Sequence, residues 1–173
     1  GICREGMARA ARSLRRAFED GSDGAAREDM SLASLLGGLA LSNARLGAAH
    51  GFAGPIGGSF RAPHGAVCAR LLPFVMEGNL AALRRRDPGS PSLRRFEEAA
   101  RILTEKPDAR PEDGVEWIRG LCASLKLPAL RTYGIGDADV PSIVARTTRA
   151  SSTKGNPVAL TEEELTTILT GAL

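Results

Sequence analysis

Two histidines, one tryptophan and one tyrosine are all that the 173 residues hold of those types, and aromatic residues make up 4% of the chain. So few aromatic side chains argue against a β-sandwich and favour helices packed closely through Ala, Leu and Gly. Cysteine is scarce as well. Cys3, Cys68 and Cys122 are odd in number, far apart and without a CxxC pair. That argues against a disulfide framework, fits a reducing compartment and leaves the thiols as small buried hydrophobes. Neither sign of charge dominates: 23 Lys and Arg stand against 20 Asp and Glu, a net +3. The arginines are scattered along helical faces without interleaved aromatics, so nucleic acid has little support as a partner. No uninterrupted apolar run approaches the ~18 residues of a membrane span, and no N-terminal stretch combines the basic, apolar and small-residue regions of a signal peptide. The expectation is a soluble, cytoplasmic, all-α protein of one domain, residues 1–173, with no membrane partner.

The residues that are present read as helices joined by short turns. Residues 2–19 space Met7, Ala10, Ala11, Leu14 and Phe18 along one face with five arginines opposite, the pattern of an amphipathic surface helix that "DGSDG" ends. Residues 25–45 are apolar nearly all round, which predicts a helix at the domain centre, its Gly37 and Gly38 allowing neighbouring backbones to approach closely. A Gly/Pro-rich loop follows. Pro63 then opens an apolar helix in which Pro73 predicts a kink or break. Residues 84–91 form a turn, and Ser90 or Ser92 caps the next helix. Val115, Ile118, Leu121, Cys122 and Leu125 mark another helix, and Val140, Ile143, Val144 and Thr147 share one face of the next. Thr161 with Glu164 forms a capping-box pattern at the start of the last.

Both histidines fall in one stretch, "HGFAGPIGGSFRAPHG", residues 50–65, with five glycines and two prolines. Neutral imidazole is a common ligand of Zn and Fe, and a chain that folds back on itself can bring two such rings to one ion. A pair of histidines hydrogen-bonded to backbone in a tight interhelical loop is the alternative, and spacing alone favours it. A bound divalent ion needs three or four protein ligands, and the sequence presents no third beside these two.

The stretch "GLALSNARLGAAHGFAGPIGGSFRAPHGAVCARLLPFVMEGN", residues 38–79, resembles the signature region of the iron-containing (group III) alcohol dehydrogenases. "LCASLKLPALRTYGI" and "DADVPSIVARTTRASSTKGNPVALTEEEL" resemble that family's C-terminal helices in the same order. The resemblance implies a multi-helix bundle, the C-terminal metal-binding domain of an enzyme whose N-terminal α/β domain binds NAD(P). It implies metal-ligand roles for His50 and His64, matching the last two histidines of a ligand set of one Asp and three His. The remaining two ligands and the dinucleotide-binding half belong to a segment before residue 1, so the chain by itself is expected to be inactive. Where many relatives carry another histidine, this sequence has Gly54. Leu41, Asn43 and Leu46 fall on the face that borders the family's substrate pocket, with core packing as the other reading of the three.

The implied chemistry is hydride transfer between a nicotinamide and a small alcohol or carbonyl compound, with Fe(II) or Zn(II) as a Lewis acid on the substrate oxygen. The implied partner is the NAD(P)-binding half, on the same chain or a separate subunit; a homo-oligomer is left open. The competing reading is a stand-alone helical module, binding or structural, that keeps the loop without catalysis.

Overall fold

The computed structural model describes residues 1–173 and contains eight α-helices joined by turns and short 3₁₀ segments, with no strand. The helices fall into two compact units, Gly1–Ala44 with Pro91–Leu125, and Arg45–Ser90 with Lys126–Leu173. The all-α class read from composition is the one observed.

The first unit contains α1 (Ile2–Glu19), α2 (Gly24–Asn43), α5 (Pro91–Thr104) and α6 (Pro111–Ser124). Arginines of α1 fasten it to α2. Asp29 of α2 accepts from Arg9 Nη1 at 2.7 Å, Arg12 Nε at 2.7 Å and the hydroxyl of fully buried Ser13 at 2.6 Å. Asp23 caps α2 by accepting from the Ala26 N–H at 3.0 Å, and it also receives Arg16. The face read as solvent-exposed therefore carries much of the polar contact between the two helices. Phe18, read as apolar-facing, is 56% exposed.

The central position expected for α2 is not observed. Ala26 is its single buried residue, and Leu35, Leu39 and Leu41 are 59%, 44% and 50% exposed. An apolar composition makes a helix ready for burial, but burial also requires partners, and within its unit α2 packs along α1. A Cβ at Gly37 or Gly38 would meet nothing within 4 Å, so these glycines serve no close approach. Gly114 does: a Cβ there would press on Ala100 at 3.0 Å, where α6 crosses α5.

The second unit contains α3 (Ala48–Gly57), α4 (His64–Arg86), α7 (Val140–Arg149) and α8 (Glu162–Ala172) around one core. Phe52 and Ile56 of α3, Val67 and Leu71 of α4, Ile143 of α7, and Leu165 and Leu169 of α8 are all at most 2% exposed. The face Val140, Ile143, Val144 and Thr147 is buried as its spacing predicts. The Thr161–Glu164 box is formed: Thr161 N–H donates to Glu164 Oε2 at 2.8 Å, and Glu164 N–H donates to Thr161 Oγ1 at 3.2 Å. Glu164 also pairs with Arg85 and Arg86 at the far end of α4.

Pro73 neither breaks nor ends α4, which runs on for 23 residues. An interior proline costs a helix about 3 kcal/mol. Burial of Leu71, Val75, Leu80 and Leu83 on the same helix offsets this, at roughly 1.5–3 kcal/mol for each side chain. By length and hydropathy α4 is the one helix that passes for a membrane span, and here it supplies core residues to its unit.

The three cysteines form no disulfide, and only Cys122 matches the expected role of a buried hydrophobe. Cys3 is exposed at the first turn of α1, and Cys68 is half-buried on α4.

Candidate functional site

Most of the Gly/Pro-rich stretch is helix rather than loop. Residues 48–57 form α3, with Pro55 inside its last turn, and only residues 58–63 connect it to α4. Glycine and proline lower helix propensity, but tertiary contacts override that here. Gly51 lies against Thr153 and Thr147 so closely that a Cβ would collide with the Thr153 hydroxyl. The first N–H of α3, on Ala48, finds a cap outside its own helix in Asn156 Oδ1, at 3.1 Å. Ala48, Phe52 and Ile56 face the core, which turns His50 to the opposite, half-open side.

The connection back to α4 is short and pinned. Phe60 N–H donates to Ile56 O at 2.8 Å, Gly58 N–H donates to Gly54 O at 3.1 Å, and Arg146 Nη1 of α7 donates to Ser59 Oγ at 2.6 Å. Pro63, with φ −60°, is the N-cap of α4, so His64 is the first residue of that helix. The fold-back required for two histidines fourteen residues apart in sequence is thereby achieved. The His50 and His64 ring centroids are 5.4 Å apart, with the ring planes tilted by 52°.

A third side chain joins them that sequence reasoning passed over. Cys68 lies one helical turn beyond His64, and its Sγ is 3.6 Å from His64 Nε2. One donor atom from each of His50, His64 and Cys68 lies within 4.8 Å of the others. The signal was present, since i and i+4 on a helix share a face and Pro63 marked the helix start. Burial lowers the pKa of His50, and the neighbouring His64 ring lowers it further. Burial raises that of the Cys68 thiol.

Of the three, His64 is exposed, and His50 and Cys68 are partly buried. A Cβ at Gly54 or Gly57, one and two turns along α3 from His50, would meet nothing within 4 Å. Two imidazoles and a thiol suit a borderline divalent ion, so this donor set fits the metal that the resemblance implies.

Leu41 and Asn43 occupy the last turn of α2, in the first unit, and both are exposed. Leu41 does not serve the core-packing alternative, being 50% exposed, and Asn43 Nδ2 donates back to Leu39 O at 2.8 Å. Leu46, partly buried, lies in the second unit just before α3.

The whole chain, residues 1–173, matches the family model described as "Fe-containing alcohol dehydrogenase family, C-terminal". It is 34% identical to the 1,3-propanediol dehydrogenase of Citrobacter freundii over 91% of this chain and 40% of that protein. It is 31% identical to alcohol dehydrogenase 4 of Saccharomyces cerevisiae over 91% of this chain and 39% of that protein. The crystal structure of a 1,3-propanediol oxidoreductase superposes on 99% of the chain, with a TM-score of 0.89 and 30% identity, and the match covers 44% of that structure. The chain thus spans well under half the length of these relatives. By this match over its whole length, the chain belongs to the iron-containing alcohol dehydrogenase family and corresponds to its C-terminal helical domain.

Proposed function

We propose that this chain is the metal-binding part of an NAD(P)-dependent alcohol dehydrogenase, soluble and cytoplasmic, in which His50 and His64 each give one ring nitrogen to a divalent ion, Fe(II) or Zn(II). The observation that carries the proposal is the convergence of the two rings, 5.4 Å between centroids, from separate helices. Each helix is held by its own packing: Gly51 against Thr153 for α3, and buried Val67 and Leu71 for α4. When bound, such an ion supplies Lewis-acid polarisation of an alcohol or carbonyl oxygen.

The residues of the chain do the rest of the positioning. Core packing of Phe52 and Ile56 fixes the rotation of α3 and hence the direction of His50. The Pro63 turn fixes the start of α4 and hence His64. NAD(P) falls to a separate α/β half, because an all-helical chain offers no strand-to-helix glycine turn to cradle a pyrophosphate. Leu46, just before α3 in the same unit as the two histidines, is assigned to the wall of the pocket for a small alcohol or carbonyl substrate.

The test uses an enzyme in which this domain is joined to an NAD(P)-binding half. His64→Ala there is expected to lose most of its bound metal by elemental analysis and its NAD(P)-linked alcohol oxidation with it, while far-UV circular dichroism stays helical. A His64→Ala enzyme that retains a full complement of metal overturns the proposal.

A further inference from the structure

We propose that Asn156 and Thr153 are positioning residues for His50: the segment 147–156 grips α3 and its lead-in on both sides of that histidine, and so sets the aim of its ring toward His64. The inference rests on the reading of the two histidines above and concerns what holds one of them in place. A short helix rich in glycine and proline has little stability of its own, so the direction of a side chain on it depends on what packs along it. One segment supplies that packing here. Where the lead-in to α3 passes Gly155, a Cβ on that glycine would collide with Leu46 O and with Arg45. At the start of α3, Asn156 Oδ1 accepts from the Ala48 N–H at 3.1 Å, and a Cβ on Gly47 would stand 3.0 Å from the same oxygen. Just past His50, Gly51 lies against the Thr153 side chain, with the Thr147 methyl group 3.5 Å from where a Cβ would stand. His50 thus sits between a residue held before it and a residue held after it.

The grip is itself fixed. Thr153 Oγ1 donates to Thr147 O at 2.8 Å, and fully buried Thr147 donates its own hydroxyl to Ile143 O of α7 at 2.9 Å. Asn156 Nδ2 donates to Asn79 Oδ1 at 2.6 Å and to Val158 O at 2.8 Å. Asn79 belongs to α4, the helix that begins with His64, so one amide joins the start of α3 to the helix carrying the second ring. Asn79 is 4% exposed, and a satisfied polar network at such a buried place rigidifies the elements that it joins. A purely stabilising role for Asn156 and Thr153 predicts that their loss lowers stability alone. Positioning predicts that the rings also part.

The experiment is proton NMR of the 173-residue chain, whose two histidines give two imidazole ring systems, with a nuclear Overhauser cross-peak between them reporting their approach. Wild type is expected to show that cross-peak, in keeping with ring centroids 5.4 Å apart. Asn156→Ala and, as a milder change, Thr153→Ala are expected to lose it while circular dichroism stays helical. Leu169→Ala, which truncates a fully buried side chain of α8, lowers the melting temperature and keeps the cross-peak. In an enzyme joined to an NAD(P)-binding half, Asn156→Ala and Thr153→Ala are expected to bind Zn(II) about tenfold more weakly, as when the partners orienting a metal ligand are lost, and Leu169→Ala to bind it as wild type does. A cross-peak of wild-type intensity in both variants, or unaltered Zn(II) affinity in both, overturns the positioning role and leaves the histidine pair standing. Loss of the cross-peak in Leu169→Ala as well assigns the effect to stability and overturns it likewise. Absence of the cross-peak in the wild-type chain overturns the convergence of the rings, on which both readings rest.

Discussion

The side chains of Asn79 and Asn156 exchange two hydrogen bonds, Asn156 Nδ2 donating to Asn79 Oδ1 at 2.6 Å and Asn79 Nδ2 donating to Asn156 Oδ1 at 3.3 Å. The same Asn156 amide donates to Val158 O at 2.8 Å and accepts from the Ala48 N–H at 3.1 Å. One side chain thus ties the middle of α4 to the first turn of α3, two residues before His50. Asn156→Ala is expected to destabilise the second unit by about 2–3 kcal/mol, because it leaves Asn79, 4% exposed, and the Ala48 N–H without these partners. Urea unfolding measures this, and a loss below about 0.5 kcal/mol would show that water replaces the amide.

The glycines of α3 divide sharply. Gly51→Ala drives a methyl group into the Thr153 hydroxyl and is expected to cost about 1–3 kcal/mol, with Thr153 displaced from its 2.8 Å hydrogen bond to Thr147 O. Gly54→Ala adds a Cβ into open space within the same helix and is expected to stabilise by about 0.5–1 kcal/mol. Thermal melts of the two single variants decide the matter; equal shifts in the same direction would contradict the packing described.

Acid should weaken the α1–α2 pair. Hydrogen bonds from Arg12 and then from Ser13 hold the Asp29 carboxyl well below its ordinary range. The Ala26 N–H and then Arg16 lower that of Asp23. A carboxylate depressed in the folded state contributes stability that is fully present above its unfolded pKa and is lost as pH falls through the folded value. Stability from these groups is therefore flat above about pH 5 and declines below about pH 4. Asp29→Asn is expected to melt lower than wild type at neutral pH, with the gap closing toward about pH 2. A gap of constant size across that range would remove the charge from the explanation.

Truncations separate α2 from a true core helix. Leu35→Ala, at a position 59% exposed, is expected to change stability by less than about 0.5 kcal/mol, whereas Leu71→Ala, at 0% exposure, should cost about 2–5 kcal/mol. Denaturant midpoints give both values, and a Leu35→Ala loss above about 2 kcal/mol would return α2 to the centre of its unit.

What the sequence disclosed was mostly what is decided within a few residues. The Thr161–Glu164 box and the face of Val140, Ile143, Val144 and Thr147 are local patterns, and both are formed. Burial of α2 was misread because an apolar surface states a need for partners without naming them. The helix at residues 48–57 was misread for the opposite reason: its glycines and its proline signal a break, while Asn156 and Thr153, about a hundred residues away in sequence, hold it in shape. At the site, the meeting of His50 with His64 was one of two open outcomes of their spacing. Cys68 required only that the Pro63 helix start be followed for one more turn.

The open position beside His50 bears on how such a site can change over time. Gly54 has ordinary helical backbone, since Gly134 is the one glycine with positive φ, and a side chain there would meet no neighbour. It also stands four residues after His50, one turn along the same face of α3. A single codon change could therefore place a further metal-binding or proton-carrying group over the cluster without moving the backbone. Coordination number and proton traffic at this centre are in that sense adjustable one mutation at a time, while the scaffold that aims the two imidazoles stays as it is.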